Sequence, residues 1–235
     1  MKKVSIIVPT YNERENISKL LNRIFSIFRK NKINGEVIIV DDNSPDGTGL
    51  LAKKLIKKYR NLKVLHRKEK MGLSSAILDG LKIMNGKILG VMDADLSHPP
   101  EMIPLMLDIM KNENADFVIG SRYVRGGKIK GWDFYRKTVS KVGILLSRMF
   151  TGVKDPMSGF FLIKSKCVKG IQFNPTGFKI CLEFIIKANY NKIIEVPITF
   201  IERKKGKTKI GFKEYFNYLH HLYRRILKDK RNFRF

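Results

Sequence analysis

The sequence predicts an α/β fold in which a mostly parallel, twisted sheet carries helices on both faces. Short β-branched runs alternate with longer segments of helical hydrophobic spacing, and the links between them are short. Hydrophobic residues make up 43% and charged residues 29% of the 235 residues, as in ordinary globular proteins. The composition therefore excludes wholesale disorder, a collagen-like repeat and a disulfide scaffold.

The first half of the chain contains five predicted strands and four predicted helices. The strands are short apolar runs, at Val4–Val8, Glu36–Val40, Leu62–His66, Lys87–Met92 and Asp116–Ile119. The helices have apolar residues at three- and four-residue spacing, at Asn16–Lys30, Gly49–Tyr59, Ser74–Met84 and Glu101–Met110. Such alternation with short links predicts parallel strands that are covered on both faces.

After residue 120 the alternation is less regular. Glycines at 126, 127 and 131 predict a flexible basic loop, and the Lys- and Gly-rich segment Glu202–Gly211 predicts a mobile one. The remaining predicted strands are Gly159–Ile163 and Ile193–Ile201, and the remaining predicted helices are Phe134–Phe150, Phe178–Ala188 and Phe212–Leu227. We therefore predict one domain over residues 1–211, followed by a basic amphipathic helix and tail over residues 212–235.

The net charge restricts the classes of partner. Lys and Arg number 47 against 21 Asp and Glu, a net charge of +26, and such a field attracts nucleic acid, anionic headgroups or phosphorylated substrates. Cys167 and Cys181 lack the spacing of a metal site and are expected to be reduced, cytosolic thiols. The apolar runs fall short of the ~20 residues that a bilayer span requires, so any membrane contact is expected at the surface.

Polar residues follow three of the predicted strands, at Pro9–Glu13, Asp41–Thr48 and Asp93–His98. Because the carboxyl ends of parallel strands meet at one edge of a sheet, four carboxylates are expected around one cleft: Glu13, Asp42, Asp93 and Asp95. Carboxylates that gather without partners repel one another, and Mg²⁺ or Mn²⁺ would relieve this. For the segment beginning at Asp41, a turn followed by a helix cap is an equally valid interpretation.

Six segments resemble those of a known family. They are Val8–Asn16, Val40–Thr48, Lys70–Ala76, Met92–Glu101, Gly120–Tyr123 and Asp155–Phe161. In this order they resemble the inverting family 2 glycosyltransferases of the GT-A (Rossmann-like) fold, and most closely the dolichyl-phosphate mannose synthases. Ser44–Thr48 and Leu96–Pro100 are the parts that point to this polyprenyl-phosphate branch.

The resemblance implies a reaction and a set of site residues. The reaction is transfer of mannose from GDP-mannose to dolichyl (polyprenyl) phosphate with inversion, with Mg²⁺ or Mn²⁺ as cofactor. The residues implied for the nucleotide sugar are Pro9, Tyr11, Glu13, Val40, Asp42, Asp93, Ala94, Asp95, Arg122, Arg203 and Lys209. Those implied for the metal are Asp93, Asp95 and Ser97, and those implied for the acceptor phosphate are Arg122, Arg136 and Ser140. Asp95, Arg122, Arg136 and Arg203 are the expected catalytic residues.

Two of these positions need comment. Some relatives carry Gln where this chain has Ser97, and because a hydroxyl is a shorter ligand, a water could take its place at the metal. His98 stands directly before Pro99 and is predicted to be a hydrogen-bonded structural residue rather than a catalytic one.

The chemistry of these residue types agrees with that reaction. A nucleoside diphosphate leaves readily only if its growing charge is neutralised, which a divalent cation with Arg203 and Lys209 would supply. A phosphate monoester has a second pKa of ~6 and is already ionised near pH 7, so the acceptor needs no catalytic base. It needs cations to position it, and the planar guanidinium groups of Arg122 and Arg136 suit two phosphate oxygens.

The predicted membrane contact is basic and aromatic. Residues 122–141 carry seven Lys and Arg and one Asp, beside Trp132, Phe134 and Tyr135, a mixture that suits an anionic membrane surface. The helices that follow, near residues 139–149 and 215–227, present either amphipathic surface or core packing. The chain resembles the family's short form, which works peripherally at the cytoplasmic face, alone or with a separate membrane-anchoring subunit.

Three other functions are considered. A UDP-sugar could donate glucose or an N-acetylhexosamine to the same lipid, and one sequence does not separate these donors. A nucleotidyltransferase also needs paired carboxylates and a metal, but the order of the motifs disfavours it. A non-catalytic nucleic-acid-binding protein would explain the charge, yet no nucleic-acid motif is present and the acidic strand ends would repel phosphates, so nucleic acid is not an expected partner.

Overall fold

The structure is a computed structural model that describes residues 3–132, 144, 151–173 and 180–202. The strands are β1 Val4–Thr10, β2 Gly35–Asp41, β3 Leu62–His66, β4 Ile88–Val91, β5 Phe117–Ser121, β6 Lys128–Lys130, β7 Phe161–Lys164, β8 Ile193–Pro197 and β9 Thr199–Ile201. The helices are α1 Arg14–Lys30, α2 Thr48–Leu55, α3 Leu73–Ile83, α4 Ile103–Asn112 and α5 Ile180–Lys187. Two short 3₁₀ turns add Pro100–Met102 and Ser165–Cys167.

Seven strands form the main sheet in the order β3-β2-β1-β4-β7-β5-β8. Strand β7 runs antiparallel to both of its neighbours, and the other neighbouring pairs are parallel. Because β7 is reversed, its first residue, Phe161, pairs with Val91 at the carboxyl end of β4. The segment that leads into β7 therefore lies at the same edge of the sheet as the ends of β1, β2, β4 and β5. The predicted mostly parallel sheet is confirmed.

Helices cover both faces of this sheet, as predicted. Side chains alternate between the faces of a strand, so Ile6 and Val8 of β1 enter one hydrophobic cluster and Ile7 enters the other. Helices α1 and α4 pack in the first cluster, while α3 and α5 pack in the second. The buried face of α1 contributes Ile17, Leu20, Leu21, Ile24 and Phe28. Their three- and four-residue spacing is what predicted this helix.

Two elements differ from the prediction. The single strand expected over Ile193–Ile201 is two strands, β8 and β9, because the chain changes partner at Ile198, whose N–H donates to Ser121 O of β5 and whose carbonyl accepts from Lys128 N of β6, both at 2.9 Å. Strand β9 pairs in parallel with β6, which lies in the segment predicted as a flexible loop. Gly126 and Gly131 flank β6 with φ of 91° and 94°, a region that favours glycine.

Several predictions fall on the remaining residues. The helix Phe212–Leu227, the loop 203–211 and most of the helix Phe134–Phe150 lie outside the described residues. Ile144 is described, and it is 3% exposed, in a small cluster with Met157 and Leu182. At this position the helix therefore packs against the protein, which was one of the two alternatives. Within the described part of the chain, no helix is long and apolar enough to cross a membrane.

Candidate active site

The predicted polar segments lie along one edge of the main sheet. Asp42 N donates to Thr10 O at 2.9 Å, which joins the ends of β1 and β2, and Met92 N donates to Ile7 O at 3.2 Å beside the end of β4. Asn12, Asn43 and Leu96 each have a positive φ, at 62°, 56° and 64°. One such residue therefore lies in each of the three segments, and Leu96 is the one whose side chain is least suited to this conformation.

The segment that follows β2 forms a turn that leads into α2. Asp41 is fully buried, accepts hydrogen bonds from Thr10 Oγ1 and Ser44 Oγ, and lies 2.8 Å from His66 Nδ1. Asp46 accepts hydrogen bonds from Thr48 N and Thr48 Oγ1 at the start of α2. The turn of the alternative interpretation is thus confirmed at Asp41, whereas the helix cap is not, since Gly47 precedes α2 and no side-chain hydrogen bond is made from that cap position.

Asp42 is 4% exposed, and protein groups hold both of its oxygens. Its Oδ1 accepts from Arg67 Nη1 at 3.0 Å and from Met71 N at 2.9 Å, and its Oδ2 accepts from Gly72 N at 2.8 Å. Arg67, itself 6% exposed, also donates to Ser75 Oγ at 2.8 Å. Asp42 therefore fixes the segment after β3 against the end of β2.

Sequence reasoning missed Arg67. A signal was available in the register of the strands, because Asp41 pairs with His66. The next residue after each strand is Asp42 or Arg67, so these two residues lie side by side at the ends of β2 and β3. Opposite charges at the ends of neighbouring strands are expected to pair.

Asp42 lies on the same edge of the sheet as Asp93 and Asp95, but two strands away from them. It follows β2, whereas Asp93 follows β4, and β1 lies between them. At 4.7–4.9 Å per strand the two positions are about 10 Å apart. Within the described residues no three His, Cys, Asp or Glu side chains form a group that could hold a metal. The edge therefore has two separate carboxylate subsites.

The residues after β1 line the Asp42 side of the edge. Lys70 Nζ lies 3.9 Å from the centroid of the Tyr11 ring, within the range of a cation–π contact. Glu13 N donates to Thr48 Oγ1 at 2.9 Å, and Glu13 Oε2 accepts from Asn16 Nδ2 at 2.8 Å. Glu13, which directly precedes α1, therefore also accepts a hydrogen bond from the first turn of that helix.

Three predicted nucleotide-binding residues bury their side chains. Pro9 and Val40 are register partners inside β1 and β2, and Val40 belongs to the core. Ala94 is 2% exposed and packs in the other cluster. These residues can meet a ligand only through their backbone atoms.

The second subsite is the loop from Asp93 to His98. The Asp93 side chain is 33% exposed, and Asp95 Oδ1 accepts from Ser97 N at 3.0 Å. Ser97 Oγ and His98 Nδ1 are buried, and neither has a hydrogen-bond partner among the described residues. The prediction that His98 is a hydrogen-bonded structural residue is therefore wrong at Nδ1, which lies 3.6 Å from Asp93 Oδ2. Burial lowers the pKa of His98 to about 4, so its ring is neutral at pH 7.

Gly159, just before β7, packs directly against this loop. A Cβ atom at this position would lie 2.6 Å from Asp93 Oδ2 and 3.0 Å from His98 Cε1. Such distances are far inside van der Waals contact, so any side chain here would displace the carboxylate, the ring or both. The reversed strand β7 thus brings a residue without a side chain to the Asp93 carboxylate.

Arg122, at the end of β5, is engaged with Asp155. Its side chain is 9% exposed, and Nε and Nη2 donate to the two Asp155 oxygens at 2.8 Å and 2.7 Å. Burial disfavours the charged form, but the Asp155 carboxylate outweighs it and raises the pKa of Arg122. Asp155 is fully buried, and its N–H donates to Glu195 Oε1 at 2.8 Å. Arg122 was expected to hold the acceptor phosphate, but its Nε and Nη2 atoms instead donate hydrogen bonds to Asp155 within the protein.

Trp132 is not at a membrane interface, contrary to the prediction. It is 8% exposed, and its ring meets that of Phe200 edge-on at a centroid distance of 5.6 Å. The Arg122 guanidinium lies 5.5 Å from the centroids of both rings. Trp132 therefore closes a buried aromatic cluster around Arg122. The aromatic side chain contributes to the core because β9 leaves the main sheet and brings Phe200 over it.

The other predicted site residues, Arg136, Ser140, Arg203 and Lys209, lie outside the described residues. The approach to Arg203 is described, since Ile201 N of β9 donates to Ser97 O at 3.1 Å. Strand β9 is thus attached to the loop that carries Asp93 and Asp95, two residues before Arg203.

Comparison with known proteins identifies the family. The profile of Glycosyl transferase family 2 matches residues 5–188. The dolichol-phosphate mannosyltransferase of Pyrococcus furiosus is 47% identical over 226 residues, which cover 94% of this chain and 63% of that protein. The enzyme of the same name from Saccharomyces cerevisiae is 37% identical over 228 residues, which cover 93% of this chain and 85% of that protein. The chain thus spans less than two thirds of the Pyrococcus relative.

Solved structures agree on the fold. A Pyrobaculum calidifontis mannosyltransferase in complex with GDP-Man and Mn²⁺ has a TM-score of 0.66 at 20% identity, over 99% of this chain and 65% of that one. Mannosyl-3-phosphoglycerate synthase from Rubrobacter xylanophilus has a TM-score of 0.70 at 17% identity, over 99% of this chain and 76% of that one. With the polar strand ends in the predicted order, the chain belongs to glycosyl transferase family 2 and, within it, to the dolichol-phosphate mannosyltransferases.

Proposed function

We propose that this chain transfers mannose from GDP-mannose to dolichyl, or a related polyprenyl, phosphate with inversion, and releases GDP. The observation that carries the proposal is the row of polar strand ends along one sheet edge, with Asp42 after β2 and Asp93 to Asp95 after β4. The named relatives support the choice of mannose and of a lipid phosphate. Ligands of open α/β sheets bind at such an edge.

The Asp42 subsite is proposed to hold the nucleoside of the donor. Arg67, Met71 and Gly72 fix the Asp42 carboxylate before any ligand arrives. Tyr11 and Glu13 line the same side, and Pro9, Val40 and Ala94 offer backbone atoms. A preformed site of this kind spends little binding free energy on ordering its own groups.

The Asp93 subsite is proposed to hold Mg²⁺ or Mn²⁺, with Asp93 and Asp95 as ligands and Ser97 as a ligand directly or through water. Ser97 Oγ is buried and has no hydrogen-bond partner in the described structure, which supports the binding of a ligand at this loop. Two carboxylates are sufficient, because Mg²⁺ in proteins is commonly bound by one or two carboxylates together with substrate phosphates and waters. When bound, the ion supplies neutralisation of the charge on the leaving diphosphate.

The protein's cations are proposed to act on the two phosphate groups. Arg203 and Lys209 would bind the diphosphate, and the attachment of β9 to Ser97 supports this by bringing the chain to the Asp93 loop just before Arg203. Arg136 and Ser140 would hold the acceptor phosphate. For Arg122 the Asp155 pair supports a positioning part, in which it joins the end of β5 to the segment before β7. No general base is required, because a phosphate monoester with a pKa of ~6 is ionised near pH 7.

We also propose that the protein works peripherally at the cytoplasmic face of a membrane, alone or with a separate anchoring subunit. The net charge of +26 supports an anionic membrane surface as a partner. The lipid nature of the proposed acceptor requires access to a membrane or to a carrier of its chain.

A panel of sugar nucleotides tests the reaction. The purified chain is supplied with GDP-mannose, UDP-glucose or UDP-N-acetylglucosamine and with a detergent-dispersed polyprenyl phosphate. Each mixture contains Mg²⁺, Mn²⁺ or excess EDTA. We expect labelled lipid from GDP-mannose alone, and none in EDTA. Transfer from the UDP-sugars only would overturn GDP-mannose as the donor and favour glucose or N-acetylhexosamine transfer. Full transfer in EDTA would exclude a divalent metal from the proposed reaction.

A further inference from the structure

His98 combines complete burial with an unpaired ring nitrogen beside a proposed metal ligand. The residue is 2% exposed, and its Nδ1 has no hydrogen-bond partner in the described part of the chain. Buried polar groups in native proteins are nearly always paired, and an exception calls for a functional or structural explanation. The carboxylate Oδ2 of Asp93, at 3.6 Å from Nδ1, lies just beyond hydrogen-bonding distance.

The imidazole ring is held firmly in this place. Its centroid lies 5.7 Å from that of Phe160 and 5.3 Å from that of Phe200, which meets it edge-on. Gly159 closes a third side, where even a methyl group would collide with His98 Cε1. The ring therefore has little freedom to turn towards another partner.

The Asp93 carboxylate is the more exposed of the two groups. Its side chain is 33% exposed and lies at the open edge of the sheet. A movement of a few tenths of an ångström would bring Oδ2 within 3.2 Å of Nδ1, the upper end of the usual N–H···O range. An ion that draws Asp93 into one orientation would thus complete a hydrogen bond for which the ring is already placed.

We propose that His98 is a positioning residue, whose Nδ1–H donates to Asp93 Oδ2 and fixes that carboxylate for the divalent ion. The inference rests on the proposed function, in which Asp93 is a metal ligand. Carboxylates that bind metals are themselves hydrogen-bonded by neighbouring groups, and loss of such a neighbour typically weakens metal affinity by roughly 10–100-fold.

Two substitutions separate the nitrogen from the packing of the ring. His98→Phe keeps an aromatic ring between Phe160 and Phe200 but removes Nδ1. His98→Asn loses the ring but can place its amide nitrogen where Nδ1 stands. The free-ion EPR signal of Mn²⁺ gives its dissociation constant for each protein in saturating GDP, and thermal unfolding in EDTA reports stability without the ion.

The expected pattern is a split between affinity and stability. In His98→Phe the dissociation constant for Mn²⁺ should rise by roughly 10–100-fold, whereas His98→Asn should stay close to the unsubstituted protein even if it unfolds at a lower temperature. Equal Mn²⁺ affinity of His98→Phe and the unsubstituted protein would overturn the role of His98 and leave the proposed function standing. Absence of Mn²⁺ binding by the unsubstituted protein would overturn the proposed ion itself.

A measurement on the unsubstituted protein covers the case in which His98→Phe fails to fold. The chain has four histidines, so the ring nitrogens can be resolved by ¹⁵N NMR after labelling of histidine alone, and the spectrum of His98→Asn identifies the His98 signals. In the complex with Mg²⁺ and GDP, Nδ1 should carry the proton and its signal should move when Mg²⁺ is added. A complex in which Nε2 alone carries the proton would overturn the proposal.

Discussion

The two carboxylate subsites, that of Asp42 and that of Asp93, differ in how far the protein itself satisfies them. Both oxygens of Asp42 accept hydrogen bonds, and the partner Arg67 is buried with it. Beside Asp93 two polar atoms, Ser97 Oγ and His98 Nδ1, are buried without a partner in the described structure. The first subsite thus has its polar groups paired within the protein, whereas the second keeps two polar atoms that are unpaired within the described residues.

Because of this difference, the free energy of ligand binding is expected to have different origins at the Asp42 and Asp93 subsites. At Asp42 the protein has already ordered its groups during folding, so a ligand gains from them without further ordering. At Asp93 the unpaired Ser97 Oγ and His98 Nδ1 cost free energy, and binding of the proposed ion, which would pair Nδ1 with Asp93, would recover part of it. Substitutions on the Asp42 side should therefore act mainly on folding and nucleotide affinity, and those on the Asp93 side mainly on ion binding and turnover.

The largest effect is expected from Asp95→Ala. Loss of this carboxylate should lower turnover by roughly 10²–10³-fold or more, since removal of one preorganised electrostatic group typically costs that much. Transfer from GDP-mannose, measured with thermal unfolding as a check on the fold, tests this. Asp108→Ala, at an exposed position of α4, is the matched control and should behave as the unsubstituted chain. Near-normal turnover of Asp95→Ala would remove the proposed ion from the reaction.

Arg67→Gln should act on stability instead. It leaves the buried Asp42 without its cation, and breaking a buried ion pair in this way typically costs about 3–5 kcal/mol. Urea unfolding measures the change, and GDP affinity should fall as well. Arg23→Gln is the matched control, because its partner Glu101 is exposed and such pairs contribute about 0–1 kcal/mol. Equal changes in the two variants would mean that the Asp42 subsite is no more ordered than the surface.

Gly159→Ala should separate the subsites most cleanly. The added methyl group would displace the Asp93 carboxylate or the His98 ring, so Mn²⁺ affinity should fall by roughly tenfold, which corresponds to about 1.4 kcal/mol. GDP affinity measured in EDTA should not change, because the Asp42 subsite is two strands away. A parallel loss of GDP affinity would contradict the division into two subsites.

The smallest effect is expected from Glu36→Gln, at the opposite edge of the sheet. Burial alone would raise the pKa of Glu36, but the hydrogen bonds from Ser5, Asn85 N and Lys63 outweigh it and lower the pKa below 4.5. A lowered pKa stabilises the fold above the unfolded-state value, and the contribution is lost as pH falls through the folded-state value. The variant should therefore lose about 1 kcal/mol at pH 7.

Thermal unfolding between pH 3 and pH 7 tests this sign. The difference between Glu36→Gln and the unsubstituted chain should shrink as pH falls below 4.5, where Glu36 becomes protonated. Turnover should not change, because Glu36 lies far from both subsites. A difference that grows towards acid pH would contradict the assignment.

Sequence alone predicted the main sheet because its determinants are local. The runs at Val4–Val8 and Leu62–His66 and the helical spacing in α1 are visible within a window of a few residues. Strand β9 was not separated from β8, because its partner β6 lies some seventy positions earlier in the chain and only Pro197 marked the break.

The same reason limited the prediction of the site. The order of the polar strand ends was readable, since each lies directly after an apolar run. The partners that decide their roles were not, because Arg67 stands 25 positions from Asp42 and Asp155 stands 33 positions from Arg122. Phe160 and Phe200, which surround His98, reach it only through the positions of β7 and β9 in the fold.

Because β7 is reversed, the residues at the sheet edge come from two groups of strands that protein engineering could alter separately. Everything around Asp42 comes from β1, β2 and β3 with their loops, whereas Arg122, Asp155 and Gly159 come from β5 and the approach to β7. Under the proposed function, exchange of loops on the latter side between enzymes would alter the acceptor and leave the proposed nucleoside subsite as it is. The Asp93 loop, between the two, is the part that both halves must share.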